Sequence, residues 1–315
     1  MSLDYALNED SFMKSWYVII WIYFAQTINF LEIQMTRLKA WWGNDLSKGV
    51  KFVLLALLAN GLPAFIILTT LPNMTEILFV WTIKPAINAH LIGVMYSNAL
   101  FLVGISAFQI EWKNLRVSMV VITLFSIFAT LLTFVYLKPF LAHPWYHLAY
   151  WLTMYFVLFF AAPYVFITHE KKYGGKLPVQ MPLNFGARLG ATLSLLLSLI
   201  FSLGLLFNIE LVNQNFPWKL PPLVGGLIGV LFITHSFAYA WSLWDGDWIR
   251  VRPIFWQAPP LALLLILLPL IHPADLRPDA GLSLTLYFVL AGYALLSNLG
   301  IILGYRKAER DFLNG

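Results

Sequence analysis

Runs of about twenty apolar residues recur along this chain with few charges to break them, and about twenty such residues in a helix cross the hydrocarbon core of a bilayer. The runs fall near 16–36, 51–71, 88–109, 117–137, 147–168, 188–208, 222–244, 254–271 and 283–304. The strict alternation of a membrane β-barrel is missing. Composition agrees. Apolar residues are 60% of the chain and charged residues 11%, against about 25% charged in a soluble domain. Lipid is the natural solvent for such a chain. The expected fold is an all-α transmembrane, polytopic helical bundle of eight or nine spans.

The first run differs from the rest. Gln26, Thr27, Asn29, Glu32 and Gln34 crowd it, and polar groups at that density are costly against lipid. Residues 1–50 are expected either to span with one face against protein or to lie in the interface as an amphipathic helix, with Trp41 and Trp42 as anchors. Asp4, Glu9 and Asp10 outweigh Lys14 at the start, so no cleavable signal peptide is expected. The later connections differ in charge. Lys14, Lys84, Lys138, Lys219 and Arg277 fall on one side, and the other 15 of the 20 Lys and Arg fall on the opposite side. That bias places the richer side and the C-terminus in the cytoplasm. The net charge of +5 is then a matter of sidedness, and no nucleic-acid partner is implied. The chain has no cysteine, which excludes disulfides, thiolate nucleophiles and cysteine-ligated metal clusters.

A repeat at an offset of 136 residues organises the rest. Residues 85–116 align without gaps on 221–252, with identities at Pro85/Pro221, Leu91/Leu227, Ile92/Ile228, Gly93/Gly229, Val94/Val230, Phe101/Phe237, Ser106/Ser242, Trp112/Trp248 and Arg116/Arg252. Chance gives shared Leu and Val between apolar spans, but rarely Pro, Gly, Trp and Arg in register. Two parallel four-helix repeats are expected, over 51–172 and 187–315, joined by a cytoplasmic linker at 173–186. Ala89 and Gly93 match Gly225 and Gly229. Small residues one turn apart let helix backbones approach closely in lipid, either between the halves or against a neighbour within each half.

The motif Glu111-Trp112-x3-Arg116 returns as Asp247-Trp248-x3-Arg252. Trp prefers the membrane interface, and Arg at the boundary reaches headgroups. Five positions apart, the acid and the Arg do not share one helix face. Cross-pairs from Glu111 to Arg252 and from Asp247 to Arg116 are the alternative to plain anchoring. The pattern of Pro before Leu-Ile-Gly, then acid-Trp-x3-Arg, resembles a group of uncharacterised bacterial multi-pass membrane proteins over about 32 residues in each half. The resemblance implies a cell (inner) membrane location and no known activity.

Residues that carry chemistry are few. Ionisable groups inside a membrane usually mark transport or proton relay, yet from the second run onward only His235 lies deep, with His90 near an outer end. His235 is a candidate cofactor ligand, weighed against a hydrogen-bonded structural histidine. His143, His147 and His272 share one side and are a candidate metal set, weighed against interfacial histidines. Asn60-Gly61-Leu62-Pro63 is expected to kink its span, lining a site or serving packing alone. No catalytic residue is assigned, and the sequence leaves the question of enzymatic activity open while leaning away from it. The first reading is a non-catalytic subunit or scaffold among membrane lipids and other membrane-protein subunits. The alternative is a permease for a neutral or apolar small molecule, and behind both stands a cofactor-binding or lipid-active protein.

Overall fold

The computed structural model describes residues 46–314. The expectation for 1–45, a spanning or interfacial helix, lies outside the described residues. Among them, eight helices are long and apolar enough to cross a bilayer. They are α1 (Lys48–Thr70), α2 (Ala86–Ala107), α3 (Trp112–Val135), α4 (Trp145–Tyr173), α5 (Phe185–Phe207), α6 (Pro222–Asp245), α7 (Trp248–Ile271) and α8 (Gly281–Asn314). No strand forms among the described residues; a single β-bridge joins Pro182 to Asp247. The chain is an all-α polytopic membrane protein. All eight runs from 51 onward become helices. α3 and α7 begin earlier than hydropathy indicates because each takes in its motif Trp and Arg.

Local chemistry sets the helix ends. Ser47 caps α1 by accepting from the Val50 amide, Asn184 caps α5 from Ala187 at 2.8 Å, and Asp247 caps α7 from Ile249 at 2.9 Å. α6 stops at Gly246, whose φ of 71° suits a residue without Cβ. Prolines inside spans are absorbed by neighbours. Pro269 leaves the Leu265 carbonyl without its helical donor, and the Tyr287 hydroxyl on α8 takes it at 2.8 Å.

The contacts fall into corresponding sets. α1 packs on α2 and α5 on α6; α3 packs on α4 and α7 on α8; α3 meets α6 and α2 meets α7. α2, α3 and α6 are the most buried spans, and α5 and α8 the least. The small residues of the repeat serve the pairs within each half. A Cβ on Gly93 would stand 2.7 Å from Thr69 and 3.2 Å from Leu68, both on α1. One on Gly229 would stand 2.9 Å from Leu206 on α5, and one on Gly225 would strike Ile209 at 2.2 Å. Close approach across the halves uses a different glycine: a Cβ on Gly226 would stand 2.8 Å from Leu132 on α3.

Candidate functional site

Three helices bring neutral polar side chains together near mid-length. Asn98 of α2, His235 of α6 and Gln257 of α7 each lie about halfway along their spans. His235 Nδ1 lies 2.7 Å from the Leu231 carbonyl, which only accepts, so that nitrogen carries the proton. Asn98 Nδ2 donates to Nε2 at 3.1 Å. The ring is therefore neutral, with both nitrogens engaged. In this arrangement neither is free to ligate a cofactor metal, the role weighed for His235. Asn98 and Gln257 are almost fully buried, at 2% and 1% exposure. Even so, Asn98 Oδ1 and both amide atoms of Gln257 have no hydrogen-bond partner. Buried polar atoms are nearly always paired, so three orphans in one place call for a physical cause.

The orphans border two cavities. The smaller, of 60 Å³, is lined by Asn98, His235 and Gln257 together with Asn60, Tyr96 and Tyr155. The tyrosines and Asn60 satisfy one another: Tyr96 and Tyr155 hydroxyls meet at 3.0 Å, and Tyr150 donates to Asn60 Oδ1 at 2.7 Å. The larger, of 510 Å³, opens on the other side of His235 and Gln257 between α5, α6, α7 and α8. Its walls are Leu, Ile, Phe and Ala with scattered hydroxyls at Ser194, Ser198, Tyr239 and Tyr293. Among the described residues, no Asp, Glu, Lys or Arg lines either space. That size and mix of apolar wall and few convergent polar groups is typical of small-molecule sites. His235 and Gln257 align with Ala99 and Val121 at the repeat offset, so the site is not duplicated.

The charged residues gather where α2 ends and α3 begins, and at the equivalent turn between α6 and α7. Trp112 Nε1 and Arg116 Nε both donate to Glu170 Oε2 at 3.0 Å, and Arg116 Nη2 takes Oε1. In the second half Trp248 Nε1 donates to Glu309 Oε2 at 3.1 Å while Arg252 Nη1 takes Oε1. Trp and Arg four positions apart share a helix face, which lets both grip one carboxylate. The carboxylates come from the last helix of each half. The expected cross-pairs give way to these and to Arg116–Asp245 at 3.6 Å, Arg250–Asp247 at 3.1 Å and Lys113–Glu111 at 2.8 Å. Arg116–Asp245 does bridge the halves, through an aspartate outside the expected pairs.

The segment between α4 and α5 is strapped onto this end. Arg116 donates to the Gly175 carbonyl at 3.0 Å and Arg250 to Pro178 at 2.8 Å. The Gln180 amide donates to Asp247 at 2.6 Å, and Leu183 N and Gly246 O meet at 2.9 Å.

At the opposite end His272 does not join His143 and His147. It pairs with His90 and lies 3.3 Å from Asp275, whose other contact is the Ile87 amide at 3.1 Å. Burial pushes the His272 imidazole below its ordinary pKa, against the pull of the Asp275 carboxylate. His90 Nε2 meets the Thr69 carbonyl, left over at the end of α1, at 3.0 Å. His143 bonds Thr82 at 3.1 Å, with the His147 ring 5.7 Å away. Among the described residues no three His, Cys, Asp or Glu stand as a metal-binding group.

Asn98, Gln257, Glu170, Glu309, Asp245 and Arg250 were not singled out by sequence. A search for ionisable groups passes over neutral amides, although an Asn and a Gln inside apolar runs were visible signals. Compared with known proteins, the chain gives no significant match to any family model, curated protein or solved structure.

Proposed function

We propose that this membrane protein binds, and moves within or across the bilayer, a neutral and mostly apolar small molecule held in the cavity of its second half. The cavity of 510 Å³ between α5, α6, α7 and α8 carries this reading. A scaffold needs no such space, and helices packed only against one another leave few gaps of this size. The lining suits an uncharged occupant, because a charged one would meet no counter-ion there.

Several features support the framework around this reading. The corresponding helix contacts and the two Trp–Arg clasps favour descent from a duplicated four-helix unit. The second half then carries His235 and Gln257 where the first has Ala99 and Val121. The bias of Lys and Arg favours a cytoplasmic location for the clasp end and the C-terminus, and the motif resemblance favours a bacterial cell membrane. The scaffold reading fits the scarcity of buried charge, the 17% aromatic content and the packing motifs, none of which calls for a cavity.

The test is extraction of the purified protein into organic solvent, with mass spectrometry of what comes off. An uncharged apolar compound near one per chain is expected, and it is lost when the cavity is filled by Ala294→Trp. Empty protein, or a compound retained unchanged by that variant, contradicts the reading.

A further inference from the structure

Both faces of Gln257 carry information about what the cavity accepts. On one side lies the small space shared with Asn98, on the other the large apolar one, and His235 lines both. His235 is spent on Leu231 and Asn98. What remains is one carbonyl oxygen on Asn98, and one carbonyl oxygen and one amide nitrogen on Gln257, all buried and unpartnered. Gln257 interacts with His235, but not at the distance and angle of a full hydrogen bond, so both amide atoms keep capacity for a closer partner.

We infer that Asn98, oriented by His235, and Gln257 are the head-group site for an uncharged amphiphile whose polar end both donates and accepts hydrogen bonds: an alcohol or carboxamide on a hydrocarbon body. The assignment rests on the cavity reading above and adds to it which end of the molecule lies where. The head sits at Gln257, donating to the Asn98 or Gln257 oxygen and accepting from Gln257 Nε2. The body lies along α8, where Ser283, Ala291 and Ala294 leave room. A space of 60 Å³ takes one small polar group or about two waters. Ionised heads are disfavoured because neither cavity offers an opposite charge. A bare hydrocarbon gains nothing from these three atoms, which it leaves to water in the small space. The His235 tautomer follows from the Leu231 carbonyl, so Asn98 is held with its oxygen turned away from the ring and free for a ligand.

The experiment is photo-crosslinking of the purified full chain in detergent with three diazirine probes of equal length: a long-chain alcohol, its methyl ether and the parent hydrocarbon. Labelled peptides are mapped, and occupancy is titrated. The alcohol is expected to saturate labelling on α7 and α8 about tenfold more tightly than the hydrocarbon, the scale of two recovered hydrogen bonds, with the ether between them. Gln257→Met, an apolar side chain of similar volume, is expected to level the three probes while leaving hydrocarbon binding intact. That variant also removes two orphaned polar atoms, so its thermal stability is expected to hold or rise; Gln257→Leu gives an independent check. Saturable labelling with no preference for the alcohol overturns the head-group assignment and leaves the cavity reading standing. A preference that survives both substitutions overturns it too. Failure of every probe to label the cavity helices saturably overturns both.

Discussion

At the scale of single residues, membrane solvent changes which side chains carry meaning. Gly93 sits where a Cβ would press on Thr69 and the Leu68 side chain. Gly104, on the same helix, faces open space. Gly93→Leu is expected to cost about 1–3 kcal/mol through overpacking, read as a lower melting temperature in detergent, whereas Gly104→Leu is neutral. Equal losses from both would mean that close approach of α1 and α2 is not what Gly93 supplies. The histidines show the limit of reading residues singly. Sequence places His143, His147 and His272 on one side, but the partner that fixes His272 is His90, 182 positions away. The amides at 98 and 257 illustrate the converse. They are unremarkable one at a time, and their meaning arises only when α2, α6 and α7 converge.

At the scale of elements, hydropathy located every described span because a bilayer imposes one length on each crossing. What it missed are the extensions into the interface, where α3 and α7 start at the motif tryptophans. The clasp also shows why the acid of each motif drew attention that belonged elsewhere. The carboxylates gripped by Trp112 with Arg116 and by Trp248 with Arg252 are Glu170 and Glu309. These are 139 positions apart, three more than the repeat offset, so a gapless alignment does not match them. Phe166 and Tyr305 keep the same shifted offset and pack on Trp112 and Trp248 respectively. A double-mutant cycle is expected to give Arg252 and Glu309 a coupling of about 0.5–3 kcal/mol. The cycle for Glu111 and Arg252 is expected to show none. Coupling between Glu111 and Arg252 would restore the cross-pair and remove the clasp.

At the scale of the whole molecule, the two halves correspond in helix order and contacts but differ inside. Charge concentrates at one end, where Arg116, Asp245, Arg250 and Asp247 form a buried chain. That chain also ties the segment between α4 and α5 to the turn after α6. Removing one member of such a chain leaves its partners buried and unpaired, which is costlier than the chain's net contribution. The other end is held by hydrogen bonds and exposed ion pairs: Trp218 donates to Asn88 at 3.1 Å, Arg277 donates to the Asn213 carbonyl at 2.5 Å and that of Gln214 at 2.9 Å, and Arg277 and Lys84 pair with Asp279 and Glu76. Between them, among the described residues, lies a middle without formal charge, opened beside α5 and α8. The fold class was legible because apolar length is a one-dimensional signal. The cavity was not, because empty space depends on which small residues of α6, α7 and α8 face one another.

The most direct test of that opened middle is a high-resolution cryo-electron microscopy map of the full chain in lipid nanodiscs. Elongated density is expected between α5, α6, α7 and α8, ending against Gln257. Finding α5 and α8 closed onto α6 and α7, with no space beside His235, would contradict it.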